Sequence, residues 1–461
     1  MSGLFQNINI ARSGISASRI GLNVASHNIA NANTPGYSRQ RVDFTTAFPL
    51  DTIYGMLGMG VDSESVRRIR NGLLDQQYYQ ANHGFGKNDI KEKMLSQVEN
   101  ILQEPSEDGI GNLMTEFFNE FSNLGGEPDS TNIRNLIVQK STRLVDAFHS
   151  KSGRLRDVQK SLRADVAATV GQVNELSRQI AELNRKIAIS ENSFSTANDL
   201  RDQRDLLMDK LSGYVKIDFN EDVRGKLSVS IDGQMLVSGI SHRELTVGTS
   251  SDGNELTVYV EGSAGSRLDI QSGKLGGLLD MHNKQVGGLL DRLNQLAKSF
   301  VDEINRIHQF GKGLPVGNPP TSASGINFFT GNDAASINIA SEIQDNVANI
   351  AASLDGTPGN GDSAFTIANL RDQKFFSGGT ATFNEFYNNV ISSVGTEIQA
   401  TSTDRRNQQL LLDQIDNQRT AESGVSLDEE MTDLIKFQRS LEASARVISA
   451  VDELLQTIIN L

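Results

Sequence analysis

Residues 4–29, LFQNINIARSGISASRIGLNVASHNI, decide how this chain is built. Leu4, Ile8, Ala11, Ile15, Ser18, Leu22, Ala25 and Ile29 recur in alternate steps of four and three. That spacing keeps one narrow stripe on one side of a helix, a seam for a second helix rather than a broad core face. The same rhythm returns at Leu434, Phe437, Leu441, Ser444, Ile448, Val451, Leu455 and Ile458. Two matching seams at the two ends of one sequence predict that those ends meet as a paired helical unit. After the first seam, the run Asn31-Ala32-Asn33-Thr34-Pro35-Gly36-Tyr37 stops the helix. Pro35 pushes Thr34 away from helical angles, and Pro-Gly is a strong breaker.

Charge is distributed to suit that pairing. Residues 1–72 carry seven Arg and four acids, whereas residues 404–461 carry six basic and eleven acidic side chains. Surface pairs are worth under about 1 kcal/mol each, so this adds only mild support. Across all 461 residues the net charge is −14, which argues against broad nucleic-acid binding and against a polybasic membrane anchor. No run approaches the roughly 18 apolar residues of a membrane span, and no standard secretory signal is expected at the N-terminus. Hydrophobic residues make up 37% and aromatics 6%, which favours long helices with thin seams over one thick core. The absence of cysteine excludes disulfides, thiolate zinc sites and cysteine nucleophiles together.

Between the ends the periodicity changes twice. Residues 41–70 read as extended or irregular, with a Gly-rich and apolar loop at Thr45–Leu50 and Tyr54–Gly60 that should press on something, in the same molecule or a neighbouring one. Residues 72–103 and 110–124 read as helices. Leu155, Val158, Leu162, Val166, Thr169, Val173, Leu176, Ile180, Leu183 and Ile187 hold one stripe inside a Pro-free stretch from about 131 to 190. A helix of that length would be roughly 80–90 Å long and would make a rod. From 213 the period becomes two, at Val215–Phe219, Leu227–Ile231 and Glu255–Val260, with Asp232-Gly233 and Asp252-Gly253 as hairpin turns. Helical rhythm resumes at 274–308, a Gly-, Ser- and Asn-rich insert with little core follows, and residues 383–420 are helical again.

The expected architecture is mainly α with inserted β. Residues 1–62 with 425–461 form a terminal coiled-coil core domain, and 63–212 with 274–310 and 383–424 form a long-helix bundle domain. A small antiparallel β domain occupies 213–273 and a small mixed insert 311–382. The order of nesting suits a filament subunit better than an enzyme.

Catalytic and cofactor chemistry is not written into the chain. No two of His27, His83, His149, His242, His282 and His308 have helix-face ligand spacing, and His282 reads as a packed residue. Gly84-Phe85-Gly86-Lys87-Asn88 lacks the spacing and preceding strand of a phosphate loop. Asp218-x-Asn220-x-Asp222 opens like a calcium loop but has Val229 where the bidentate Glu belongs. The echoing runs Leu200–Asp205 and Leu370–Gln373 read as helix-end charge networks. No catalytic residue, metal site or cofactor is expected.

The Asn31–Tyr37 run resembles the N-terminal signature of the bacterial flagellar axial proteins, the family of rod, hook and hook-associated subunits. Tyr37-Ser38-Arg39-Gln40, Gly60-Val61-Asp62, Val66-Arg67-Arg68-Ile69-Arg70, Leu74-Asp75-Gln76-Gln77-Tyr78 and Gly424-Val425-Ser426-Leu427-Asp428-Glu429-Glu430 are similar to its hook-associated branch. The resemblance implies a structural subunit at the junction of hook and filament, secreted unfolded through the flagellar type III apparatus into the extracellular flagellum. Implied partners are lateral copies of the chain itself, the hook protein, a second junction protein on the filament side, and a cytoplasmic export chaperone bound near the C-terminus. Nucleic acid and membrane are not among them. On this reading Leu4, Ile8, Ile15, Leu22, Ala25, Ile29, Leu434, Phe437, Leu441, Ile448, Val451, Leu455 and Ile458 form the assembly interface. Asn31, Asn33, Thr34, Pro35, Gly36 and Tyr37 form the turn that redirects the chain from the inner helix. Many family members carry a further large insert near Phe328-Phe329, whereas here the chain passes almost directly to Ile337-Asn338-Ile339, so a smaller outer surface is expected. A secreted type III effector or translocator would share coiled ends and lack of cysteine, but should carry a long apolar membrane-inserting segment. An enzyme with helical extensions, such as a polysaccharide hydrolase, would need paired carboxylates in a cleft, and none stands out.

Overall fold

The first heptad run folds as one helix, α1 (Ser2–Asn31), and the chain then doubles back. The structure, a computed structural model, describes residues 2–52, 55–102, 106–191, 195–222, 225–250, 253, 255–262, 267–317 and 321–459. Of the two readings for residues 41–70, extended or irregular, the described residues take the first and form a β arm. Strand β1 (Gln40–Thr46) is followed by a short hairpin, β2 (Leu50–Thr52) with β3 (Gly55–Leu57), and by β4 (Val61–Arg68), which returns along β1. Gln40 stands opposite Arg68 and Thr46 opposite Val61. Alternation at β1 and β4 is diluted by charge, which is why the period-two signal was weak there.

Helices α2 (Gly72–Leu102), α3 (Ile110–Gly126), α4 (Thr131–Ser190) and α5 (Asn198–Tyr214) build the rod. Every position of the predicted α4 stripe, from Leu155 to Ile187, is buried. At 60 residues α4 is about 90 Å long. Ser130 caps it by accepting a hydrogen bond from the Ile133 N–H.

Two small antiparallel sheets follow. One has the order β5 (Asp218–Glu221), β6 (Leu227–Ile231), β7 (Gln234–Ser238) and β8 (Ser241–His242). The other orders β9 (Leu245–Thr249), β10 (Leu256–Val260) and β11 (Arg267–Leu268) with β10 in the centre. Asp232 and Gly233 both have positive φ, +49° and +73°, as a two-residue hairpin turn requires. Asp252 of the other predicted turn lies outside the described residues. Helix α6 (Gly273–Asp280) continues through a π-helical turn, Met281–Val286, into α7 (Gly287–His308).

The insert after α7 departs from expectation. Among its described residues the insert holds only short elements, among them β12 (Phe329–Thr330), β13 (Asn338–Ile339), α8 (Ser341–Asp345) and α9 (Asp362–Asn369). Yet its Phe328, Phe329, Ile337, Ile343, Ile350 and Ile367 are buried in the same core as the rod helices. Phe117 of α3 meets Phe300 of α7 and both Phe328 and Phe329, with ring centroids 5.3–5.7 Å apart. A Gly- and Ser-rich composition hid a few large side chains that dock on the helices. The chain closes with α10 (Phe383–Ser423), opened by a Thr382/Glu385 capping box, and α11 (Leu427–Ile459).

One device fastens strands to helices throughout. A helix asparagine turns its carboxamide to the N–H and C=O of one extended residue: Asn174 to Leu245, Asn283 to Leu256, and Asn305 to Phe329. Asn184 does the same for Leu227, at 2.7 Å to the carbonyl and 3.4 Å from the N–H.

The insert is further pinned by His308. Its Nδ1 lies 2.7 Å from the Ile326 carbonyl, and its Nε2 accepts from the Ala351 N–H at 2.9 Å, so the buried ring is neutral with its proton on Nδ1. Burial pushes the pKa down to about 4, against the Ile326 bond and with help from the Arg134 charge. Because the folded value lies below the ordinary 6.5, the unfolded chain takes up the proton first. The contribution is whole above about pH 6.5 and is lost as pH falls toward 4. Hydrogen exchange at the Ala351 amide should therefore accelerate beyond its intrinsic pH dependence in that window. His308→Gln should abolish the step and cost about 1–3 kcal/mol at pH 7.

Candidate assembly interface

Helices α1 and α11 pack antiparallel, outside the core shared by α2 through α10. Ser18 and Ser440 touch through their hydroxyls at 3.1 Å, and Asn28 reaches Glu430 at 3.0 Å. Small residues set the separation. A Cβ on Gly14 would lie 2.8 Å from the Ser444 hydroxyl, and one on Gly21 would lie 2.7 Å from the Phe437 ring. Ala11, Ala17, Ser18 and Ala25 are buried on the same helix. The β arm lies along this pair, its Phe44 ring 6.1 Å from that of Phe437 and its Val61 N–H bonded to the Ser13 hydroxyl at 3.2 Å.

The predicted seam residues sit unequally in this stem. Ala25 and Val451 are buried. Ile8, Ile15, Leu22, Ile29, Leu434, Phe437, Leu441, Ile448 and Leu455 are half-buried, and Ile458 is exposed. The side chain of Leu4 lies outside the described residues. Within one chain the small positions close the pair, while the large ones keep part of their surface bare.

The turn motif locks the base of the stem. Asn31 donates to the His27 carbonyl at 3.0 Å and accepts from the Thr34 hydroxyl at 3.1 Å. Asn33, Thr34, Pro35 and Gly36 are exposed. Gly36 has φ +80°, and a Cβ there would also meet Leu206 at 3.1 Å, so the position suits glycine on both counts. Tyr37 donates to Asn28 Oδ1 at 2.7 Å. Burial, then the carboxylates of Asp199, Asp202 and Glu430, raises the Tyr37 pKa and keeps that proton in place.

Asn28 is the hub. Its Oδ1 accepts from the Gln40 N–H at 3.0 Å, and its Nδ2 donates to the Gln40 carbonyl at 2.9 Å and to Glu430. Glu430, 2% exposed, also accepts from Arg39 Nε at 2.6 Å, while Arg39 NH1 bonds Glu429 at 2.7 Å. Three parts of the sequence more than 400 residues apart at their extremes thus converge on one amide and one carboxylate.

A second set of charges joins this base to the rod. Asp202 accepts from the Ser38 N–H at 2.9 Å and from Arg68 at 2.7 Å, and Arg68 also holds Asp205 at 2.8 Å. Arg70 pairs with Asp75 at 2.7 Å. Burial works against the Arg70 charge, but Asp205 and Asp75 outweigh it and hold its pKa above the ordinary value. Arg419 bridges Asp75 and Asp209 and lies 4.5 Å over the Tyr78 ring. Burial pushes the Asp209 pKa up to about 6 despite Arg419. The Leu200–Asp205 run lies in the opening turns of α5 and works as a charge network: its acids reach the arm, and Arg204 reaches Asn184, Gly225 and Glu221.

Periodicity did not find Asn28, Arg39, Arg68, Arg70, Asp202 or Glu430. Several lie in the short runs that carried the family resemblance, which was the signal available. The apolar loop of the arm touches its own molecule only in part: Gly60 lies against Ser13 and Ile10 of α1, Phe48 and Met56 stand exposed, and Tyr54 lies outside the described residues. Asp218 and Asn220 lie in strand β5, opposite Ser230 and Ser228 of β6, and are exposed. Among the described residues no group of His, Asp or Glu has the arrangement to hold a metal ion, and no helix is long and apolar enough to cross a membrane. What this geometry does is fasten an exposed helical stem at a fixed angle to a rod.

Comparison with known proteins points the same way. Residues 95–329 match the flagellar hook-associated protein FlgK helical domain, residues 8–37 the flagella basal body rod protein family, and residues 417–461 the C-terminal family of flagellar basal body rod FlgEFG proteins. The chain is 32% identical to flagellar hook-associated protein 1 of Bacillus subtilis, over 100% of this chain and 99% of that one. It is 26% identical to flagellar hook-associated protein 1 of Escherichia coli, over 98% and 99% of the two chains. Its fold is similar to that of the flagellar hook junction protein FlgK from Burkholderia pseudomallei, with a TM-score of 0.64 at 16% identity, covering 76% of this chain and 100% of that one.

The close approach at Gly21 yields a direct test. Gly21→Val would thrust a branched side chain into the Phe437 ring, and overpacking of this kind costs about 1–3 kcal/mol. In this cysteine-free chain, Ser18→Cys with Ser440→Cys should form a disulfide that reports the closed stem. Adding Gly21→Val should sharply reduce its yield, with the helix content of the rod unchanged.

Proposed function

The chain belongs to the flagellar hook-associated protein 1 family, and we propose that its paired ends are the part that enters the inner core of the assembled flagellum. The protein is a structural subunit of the bacterial flagellum, not an enzyme, and it forms the junction between hook and filament on which filament assembly depends. It is part of the extracellular flagellum. The observation that carries the proposal about its ends is the α1–α11 stem: it lies outside the main core, it is latched by Asn28, Arg39 and Glu430, and it leaves Ile8, Ile15, Leu22, Ile29 and Ile448 half-covered.

A half-covered apolar stripe on a helix pair is completed by further helices. Lateral copies of the same chain supply them, with the hook protein on one side of the junction and a second junction protein on the filament side. The stem, residues 1–62 with 425–461, serves as the core domain. The rod, 63–212 with 274–310 and 383–424, carries the inserts at 213–273 and 311–382 outward. The chain travels unfolded through the flagellar type III apparatus, guarded near its C-terminus by a cytoplasmic chaperone. A chain without cysteine suits that route, since no crosslink can form before threading.

Electron microscopy of cells lacking the gene tests the junction role. Hooks without filaments are expected, with filament protein lost to the medium. Missing hooks would move the subunit into the rod or hook, and normal flagella would overturn the reading. The stem proposal has its own test. Ile448→Glu should be exported and keep a folded rod, yet fail to restore filaments to the deletion strain; restored filaments would refute the seam as an assembly surface.

A further inference from the structure

The tip of the β arm is apolar and bare. Phe48 is 95% exposed and Met56 74%, and Leu50, 50% exposed, stands directly opposite Leu57 in the β2–β3 pairing. A hairpin with three residues a side is not stable in water on its own. Roughly 400 Å² of apolar side chain gathered at one point is the size of patch that on a monomer is often functional.

The same molecule holds an unfilled groove. It lies between α1 and the start of α5, has a volume of about 570 Å³, and is walled by Ile20, Val24, Val66 and Leu200. His27 and Asp199, 3.6 Å apart, mark its rim. The chain's own tip does not reach it. Gln40 is pinned to Asn28 and Val61 to Ser13, so the arm runs along α1 away from the groove. By the helix rise, the tip stands at least about 20 Å further along the stem.

We propose that the arm tip of one copy docks in the groove of an adjacent copy, with Phe48 entering between Ile20, Val24 and Leu200. This rests on the reading that copies of the chain stand side by side. A knob and a hole at different places on one surface make a head-to-tail contact, which propagates into a ring or helix rather than closing a two-fold dimer. The stem charges are compatible with the same geometry. Helix α1 carries Arg12 and Arg19, both exposed, and no acid. Helix α11 carries seven acids against three bases, with Glu442, Asp452 and Glu453 exposed. Head-to-tail neighbours can set the basic helix of one copy toward the acidic helix of the next. The tip alone falls short of the roughly 1,200 Å² that a stable pair of proteins buries, so it joins copies whose stems are already gathered and does not dimerise the free chain.

Cysteine pairs test this in assembled flagella, because the chain supplies no background thiol. Phe48→Cys with Val24→Cys, oxidised in isolated flagella, should give a ladder of linked dimers and higher species on a non-reducing gel. Met56→Cys with Leu200→Cys provides a second pair of different geometry. Cells carrying the two single variants as a mixture should give dimers only, and neither variant alone should link. A linked monomer in the double variant would show the tip folding back on itself, and dimers from Phe48→Cys alone would show a two-fold tip contact. Either outcome overturns the docking, as does the absence of a link from both pairs when the protein is present in the flagella. Absence of the unaltered protein from isolated flagella would instead overturn the junction reading, and the docking with it.

Discussion

A carboxamide carries the donor and acceptor of a peptide group on a side chain, and this protein's extended segments depend on that equivalence. Asn28 holds Gln40, Asn174 holds Leu245, Asn283 holds Leu256 and Asn305 holds Phe329, each through the N–H and the C=O of a single residue. Each clamp satisfies two backbone groups that would otherwise lose water on docking, which is worth about 1–3 kcal/mol per group if left unmade. It also fixes register, since a shift of one residue would turn the strand's N–H and C=O away from the amide. A helix cannot extend a sheet; an asparagine lets it do so at one rung.

Asn28, like Asn184 beside Arg204, is also tied to charge. Glu430 and Arg39 complete its hydrogen bonds, and the Arg68, Arg70 and Arg419 pairs continue the polar seam down to the rod. An apolar contact of the same area would bind as well, because buried ion pairs seldom exceed their desolvation cost by much. What they supply is a fixed angle: a guanidinium between two carboxylates tolerates little sliding. The stem is thus held by directional bonds at its base and by small-residue contact along its length.

Long-period features were legible in the sequence. The α4 stripe from Leu155 to Ile187 repeats often enough that no other element fits, and the terminal heptads announced each other in the same way. Partners of single residues were not legible. Nothing local marks Asn174 as the mate of Leu245, or Asp202 as the mate of Ser38, because each pairing exists only once the chain has folded. The insert after α7 was misjudged for a related reason: Phe328 and Phe329 are two residues in a polar stretch, and their weight comes from Phe117 and Phe300 on distant helices. The arm reads as extended or irregular, and its charged alternation and bare tip leave the sequence unable to choose between the two.

The pairing of residues 2–31 with 427–459 sets an order of events. Closing a loop of more than 400 residues is entropically the costliest contact in the molecule, and it brings only a thin seam in return. The rod helices have a thick core to gain and many partners nearer in sequence, so contact order favours their folding before the stem shuts on the base that holds Asp202 and Asp205. Glu430, the last charge needed at Asn28, arrives with the final helix. A chain that has not delivered that helix leaves Arg39 unpaired and the arm without Phe437 beneath it. The joint is therefore a check on completeness: only a chain that includes residue 430 and the helix around it can close the latch at Asn28.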